Sequence, residues 1–202
     1  MVGIIKYGAG NIYSVTCAIK YLGKEFVLIE KPDMIDKVNF LILPGVGSFD
    51  SGIENLNKTE ISEKIKNKIE TGIPFLGICL GLQLLFEKSE EGEKKGFGIL
   101  KGRVVKFKNR NLKIPHMGWN RVKIYKKSRI FDEIDDNSFF YFAHSYYAET
   151  NDEIILGKTK YDVDFPSIVL KGNIVGVQFH PEKSGKVGLL FLKNFLEGKW
   201  LL

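Results

Sequence analysis

Cysteine is scarce in this chain. Only Cys17 and Cys79 occur among 202 residues. That is too few for a disulfide framework, and a reducing cytoplasm is the expected setting. Histidine is almost as scarce. His116, His144 and His180 are dispersed without metal-ligand spacing, which argues against a metal site. Long hydrophobic runs are missing, and none approaches the ~18 residues of a membrane-spanning helix. The start, "MVGIIKYGAG", lacks the basic opening, long apolar stretch and small-residue cleavage site of a signal peptide. Blocks of one charge are missing too. The net charge is +6 and the pI about 9.1, yet the lysines interleave with glutamates, as in "EISEKIKNKIE". They read as solvated faces rather than a nucleic-acid footprint. The one dense charge run, Glu87–Lys95, reads as an exposed loop. No linker composition or internal repeat divides the chain, so 1–202 is expected to form one domain.

What is present is an alternation. An apolar content of 44% is enough for a core without staples. Strand-like runs occur at "VGIIKY" (2–7), "FVLI" (26–29), "FLIL" (40–43) and "IPFLGI" (73–78). Helical spacing intervenes at 11–22, with Ile12, Val15, Ile19 and Leu22 on one face and Gly23 able to end it. It returns at 60–71, with Ile61, Ile65 and Ile69 aligned, and at Leu80–Glu87. Strands alternating with helices predict a parallel sheet covered on both faces. The second half is richer in strands: "RVVKF", "NRVKIY", "FFYFAHSYY", "EIILGKTKY", "PSIVL" and "NIVGVQFH". A hairpin turn is expected at Lys171–Gly172–Asn173, and a last helix near Lys186–Glu197. The fold class is therefore α/β, with antiparallel additions late in the chain.

Cys79 sits where a buried-strand pattern meets a helical one, between Gly77 and Gly81. A nucleophile on a sharp strand-to-helix turn stands above the sheet, and flanking glycines admit close backbone. Helix N–H groups aimed at the sulfur favour thiolate and can stabilise an oxyanion. In open parallel sheets, sites form at the carboxyl ends of strands. Cys17, in the middle of the first helical pattern, is expected to be a small core residue. A cysteine nucleophile needs a base. His180 ends the strand "IVGVQF" and opens "HPEK", with Glu182 two residues on across Pro181. A carboxylate beside an imidazole fixes its tautomer and stabilises imidazolium. Cys79, His180 and Glu182 are thus a candidate nucleophile, base and orienter. "GAGN" is a weak phosphate loop, because Tyr13 occupies the third glycine position. Gln83 lies one helical turn beyond Cys79, on the same side, and is a candidate pocket contact.

"GICLGLQLL" with a later "GVQFHPE", about 100 residues on, resembles the class I, triad-type glutamine amidotransferases. "YGAGNIYSV", "LPGVGSF", "PHMGWN" and "FAHSYY" narrow the resemblance to those that serve imidazole glycerol phosphate synthases. The resemblance covers the whole chain. It implies a flavodoxin-like or Rossmann-like fold, a Cys79–His180–Glu182 triad and no cofactor. Backbone N–H groups around Gly45, Val46 and Gly47 and at Leu80 become candidate oxyanion donors. Gln83, Ser145 and Tyr146 become candidate contacts for the amino-acid end of glutamine. It also implies a heterodimer with a separate (β/α)8 cyclase subunit, to which ammonia passes. Asn11, Met117, Trp119 and Lys183 are expected at the mouth of the site, facing that partner. Tryptophan is the natural anchor there. Glutaminases of other synthases, a stand-alone cysteine hydrolase and a non-enzymatic relative are the rival readings.

Overall fold

A computed structural model describes residues 1–8, 10–108 and 112–200. Of the "GAGN" loop, Ala9 therefore lies outside the described residues. Strands β1 (Val2–Ile5), β2 (Phe26–Ile29), β3 (Phe40–Gly45) and β4 (Phe75–Cys79) run parallel. β5 (Lys88–Ser89), β6 (Arg103–Lys106) and β9 (Tyr146–Glu149) form a small separate sheet. β7 (His116–Ile124), β8 (Ser138–His144), β10 (Ile155–Lys160), β11 (Asp164–Lys171) and β12 (Ile174–Val177) complete the large one. Its nine-stranded order is β2-β1-β3-β4-β12-β11-β10-β7-β8. β12 pairs parallel with β4, and the strands beyond it pair antiparallel. The α/β class and the late antiparallel pairs match the sequence reading.

Helices cover both faces because alternate strand residues point opposite ways. Ile4, Ile42, Leu76, Ile78 and Val175 share one core with α1 (Ile12–Tyr21) and α5 (Gly185–Leu196). Ile5, Leu41, Leu43 and Phe75 share the other with α2 (Phe49–Lys58), α3 (Ile61–Glu70) and α4 (Leu80–Gln83). The chain winds from β1 out to β2, then crosses to β3 and β4 on the other side. The carboxyl edge beside that reversal is where an α/β sheet opens a crevice.

Several expectations are corrected. Cys17 is exposed, not core. α1 buries Val15, Ala18 and Ile19, and Cys17 falls on the outer face with Tyr13 and Tyr21. The helix expected over Leu80–Glu87 stops at Gln83. Beyond it the carbonyls of Leu84, Leu85 and Phe86 turn outward to accept from Phe97, Leu100 and Gly98, so the helical ladder cannot continue. α2 went unread, although Phe49, Gly52, Ile53 and Leu56 recur at helical spacing on its buried face. The strand read over 139–147 is two strands in different sheets, broken at Ser145. The hairpin forms with Lys171 opposite Ile174 and Gly172 at φ 56°.

Candidate active site

Cys79 ends β4 at φ 52° and ψ −107°. A non-glycine residue held there stores about 1–3 kcal/mol of strain, an arrangement typical of functional turns. The flanking glycines are required by close packing. A Cβ on Gly81 would meet the Leu43 carbonyl oxygen at 1.8 Å, and one on Gly77 the Gly81 oxygen at 2.7 Å. α4 therefore lies directly on β3 and β4. It is a single turn, so the nearness of its N–H groups counts for more than any macrodipole.

Register brings the other groups alongside. Gly45 at the end of β3 pairs with Cys79, and Val177 of β12 pairs with Ile78. Residues 178–182 therefore leave their strand beside the sulfur. His180 is buried, and its Nδ1 lies 2.9 Å from Glu182 Oε1. Its backbone is pinned: the N–H donates to the Tyr141 carbonyl at 2.8 Å, and the carbonyl accepts from Ser184 Oγ at 2.7 Å. Burial opposes charge on the ring, but the negative charge of Cys79 and the Glu182 carboxylate outweigh it. Together they push His180 up to about 10. Nε2 has no partner of full hydrogen-bond geometry, yet both the charge of the sulfur and a hydrogen-bond contribution from it raise the ring. Around Cys79 lie the Ala143 carbonyl at 3.9 Å and Gln178 Nε2 at 3.6 Å.

The sulfur opens on a cavity of about 170 Å³. Val46, Gly47, Leu80, Gln83 and Ala143–Tyr146 line it. Gln83 is buried and donates through Nε2 to the Tyr146 carbonyl at 2.9 Å. Tyr7 lies under this corner. Its hydroxyl oxygen would stand 2.7 Å from a Cβ on Gly45. Burial, and then the charge of Cys79, raise it above the usual phenol range.

Glu91 also lines the cavity, and sequence reasoning missed it. The run Glu87–Lys95 looked like a solvated loop, but Asp50 at the start of α2 accepts from the N–H groups of Glu93 and Lys94 and folds it inward. Glu91 Oε2 then accepts from the Phe49 N–H at 2.7 Å. Burial raises its carboxyl, against the pull of that bond, with Asp50 adding to the rise. No local signal marks this glutamate, because the contact is made across more than forty residues of chain.

The residues expected at the mouth fall in one region. Met117 and Trp119 are exposed, at 62% and 55%, on the outer face of β7. The Trp119 ring stands edge-on to Tyr141 at 6.1 Å, and Lys183 Nζ sits 5.8 Å above the same ring. Asn11 is half-buried, and its Oδ1 caps α1 by accepting from the Ser14 N–H at 3.3 Å. α1, which Asn11 caps, packs against the turn Pro181–Lys183.

Residues 4–198 match the family described as glutamine amidotransferase class-I. The chain is 48% identical over 200 residues to a protein of Methanocaldococcus jannaschii named imidazole glycerol phosphate synthase subunit HisH, covering 98% of this chain and 99% of that one. A protein of the same name from Geobacillus kaustophilus is 46% identical, covering 97% and 96%. Among solved structures, one titled as a glutamine amidotransferase superposes with a TM-score of 0.77 at 20% identity, covering 97% of each chain. The structure titled PurLQS from Thermotoga maritima gives 0.76 at 21%, covering 98% and 97%. At those identities the structures speak to the fold.

Proposed function

The chain belongs to the class-I glutamine amidotransferase family, and from that premise we propose that it is the glutaminase subunit of an imidazole glycerol phosphate synthase. It hydrolyses glutamine to glutamate and ammonia, and the ammonia serves histidine biosynthesis. Residues 1–202 act as one glutaminase domain, and a separate (β/α)8 cyclase subunit receives the ammonia. There it is joined to phosphoribulosyl-formimino-AICAR phosphate, giving imidazole glycerol phosphate and AICAR phosphate. The setting is the cytoplasm; among the described residues no helix is long and apolar enough to cross a membrane.

The observation that supports the mechanism best is the alignment at the sheet's carboxyl edge. A strained cysteine faces a histidine whose charge is held by that sulfur and by a carboxylate at 2.9 Å. The Cys79 thiolate attacks the side-chain carbonyl carbon of glutamine. His180 gives its proton to the leaving ammonia, and a thioester remains. His180, now neutral, takes a proton from water, which attacks the thioester and releases glutamate. Glu182 holds the ring throughout and stabilises its charge whenever it is protonated. Val46 and Leu80 supply N–H groups for the oxyanion. Gln83, Ser145 and Tyr146 hold the amino-acid end, and the Glu91 carboxylate takes its ammonium. Glutamate release, measured with and without the cyclase subunit and its nucleotide ligand, tests the whole reading. A chain that never releases glutamate in the complex defeats it.

The two partners of the sulfur are unequal. His180→Asn should remove nearly all glutamine turnover. Glu182→Gln should be milder, because an amide oxygen can still accept from Nδ1 while its charge is lost. Equal and complete losses in two well-folded variants would mean that Glu182 does more than orient.

Trp119→Ala should weaken binding of the cyclase subunit by about 2 kcal/mol or more, roughly a thirtyfold rise in Kd. More than half of this large ring is open to solvent, beside Tyr141 and Lys183. Titration calorimetry measures the change, and an unaltered Kd would move the docking face elsewhere.

A further inference from the structure

The site holds more polar side chains than the triad uses, and they depend on one another. The Tyr146 carbonyl receives Gln83 Nε2 at 2.9 Å and lies 2.8 Å from His144 Nδ1. A carbonyl only accepts, so both nitrogens donate. Gln83 Nε2 also donates to Gln178 Oε1 at 3.1 Å. That makes Gln178 Nε2 the donor facing Cys79 Sγ at 3.6 Å. Gln178 is fully buried, at 0% exposure. On the other branch, a proton on His144 Nδ1 leaves Nε2 of a neutral ring as an acceptor, 3.0 Å from His116 Nδ1. His116 Nε2 must then accept from Asn120 Nδ2 at 3.1 Å.

The far end sets the same direction independently. Asn120 Oδ1 accepts from the Arg121 N–H at 2.8 Å, which fixes the amide, and Nδ2 also donates to the Lys160 carbonyl at 3.0 Å. An imidazolium at either position would set N–H against N–H. Both ends therefore require two neutral rings with their protons on Nδ1. Burial acts the same way, lowering His116 to about 4 and His144 to about 3.

We propose that this directed network positions the nucleophile: Asn120, His116 and His144 fix the Tyr146 carbonyl, which fixes the amides of Gln83 and Gln178, and Gln178 presents an N–H to the Cys79 sulfur. Gln178 touches the reacting atom, while the two histidines act through it and are positioning residues. The role rests on the glutaminase reading. A donor on the sulfur other than His180 matters as the sulfur leaves the thioester, because it shares the negative charge that then returns to Cys79. The same orientation spends both hydrogens of the Gln83 amide inside the protein and leaves its Oε1 for a ligand.

Nitrogen-15 spectra of histidine-labelled chain test the direction. At neutral pH His116 and His144 should appear as neutral Nδ1–H tautomers. An Nε2–H form or an imidazolium at either would overturn the proposal. That measurement needs neither a variant nor turnover, so failure of the glutaminase reading would leave it interpretable. In the complex with the cyclase subunit, Gln178→Met keeps the length and removes the donor. It should lower kcat for glutamine by about ten- to a hundredfold at unchanged KM. His116→Phe keeps the stacking on Phe142 and Tyr161 and cuts the relay. It should leave His144 Nδ1–H on the Tyr146 carbonyl but deprive Nε2 of its donor, loosening the ring and lowering glutamine turnover by about tenfold. His144→Asn, which can place an N–H near Nδ1, should retain more activity than His144→Leu. Wild-type kcat in Gln178→Met, or equal losses in the two His144 variants, would refute the assignment.

Discussion

Replacing Cys79 by Ala or Ser should abolish glutamine-dependent synthesis by the complex and spare synthesis from added ammonia. Cys79 is the thiol of the cavity, and a neutral hydroxyl there is a far weaker nucleophile than a thiolate paired with His180. The hydroxyl of Tyr7 is buried beside Gly45 with its proton held tightly. Where a nucleophile and its histidine act as a unit, losing the nucleophile costs on the order of 10⁶ in kcat, which would take turnover below detection. Serine is nearly isosteric but would need a stronger base, because a hydroxyl beside His180 is not a thiolate. The strained backbone at φ 52° belongs to the turn and not to sulfur, so both variants should fold. Steady-state assays with glutamine and with ammonium salts separate the two outcomes. Retained glutamine turnover would remove Cys79 from the mechanism, and loss of both activities would point to a broken complex.

The parts of this site that could be read in the chain are those that local sequence controls. An apolar run followed by helical spacing makes the turn at Cys79. "IVGVQFHPE" makes a strand that stops at Val177, three residues short of the end read at His180, and the segment beyond it carries His180 with Glu182 stiffly attached. Two parallel neighbours then set the level of these groups, with Val177 opposite Ile78. What escaped notice depends on contacts made far away. The inward fold of the Glu91 loop is set by Asp50. The early end of α4 is set by carbonyls turning toward residues 97–100, which no helical period can reveal. Cys17 was misjudged for a simpler reason. It lies in the middle of the first helical pattern but not on the face of Ile12, Val15, Ile19 and Leu22, and a free cysteine's usual burial does not override the face the helix turns to the sheet. His116 and His144 are dispersed in sequence, yet β7 and β8 pair them directly, and their rings meet at 3.0 Å.

The isolated chain should be a poor glutaminase, about 10²–10³ slower than the complex saturated with the cyclase's nucleotide ligand. The argument begins in "PGVG". Gly45 is paired with Cys79 as the last rung of β3, so the Gly45–Val46 peptide leaves the strand beside the nucleophile. Among the described residues, positive φ outside glycine occurs at Glu60, Cys79, Glu133 and Asn137, so Val46 keeps a relaxed backbone. Turning that peptide to aim the Val46 N–H at an oxyanion rotates ψ at Gly45 and φ at Val46 together. Glycine accepts the change freely. Valine is β-branched, and positive φ is a true outlier for it, costing about 1–3 kcal/mol. If the relaxed form turns that N–H away, the site lacks one oxyanion donor, and one such donor is worth about 10²–10³ in turnover. Val46 is 42% exposed and Gly47 stands at φ 111°, so this corner can be reached from outside and has a pliable neighbour. A partner that binds only the turned form supplies the difference through its differential affinity. Coupling of this kind spares glutamine when no acceptor is bound. Glutamate release by the free chain, set against release by the saturated complex, measures the ratio. Comparable rates would end the switching argument and leave the roles of Cys79, His180 and Glu182 where they stand.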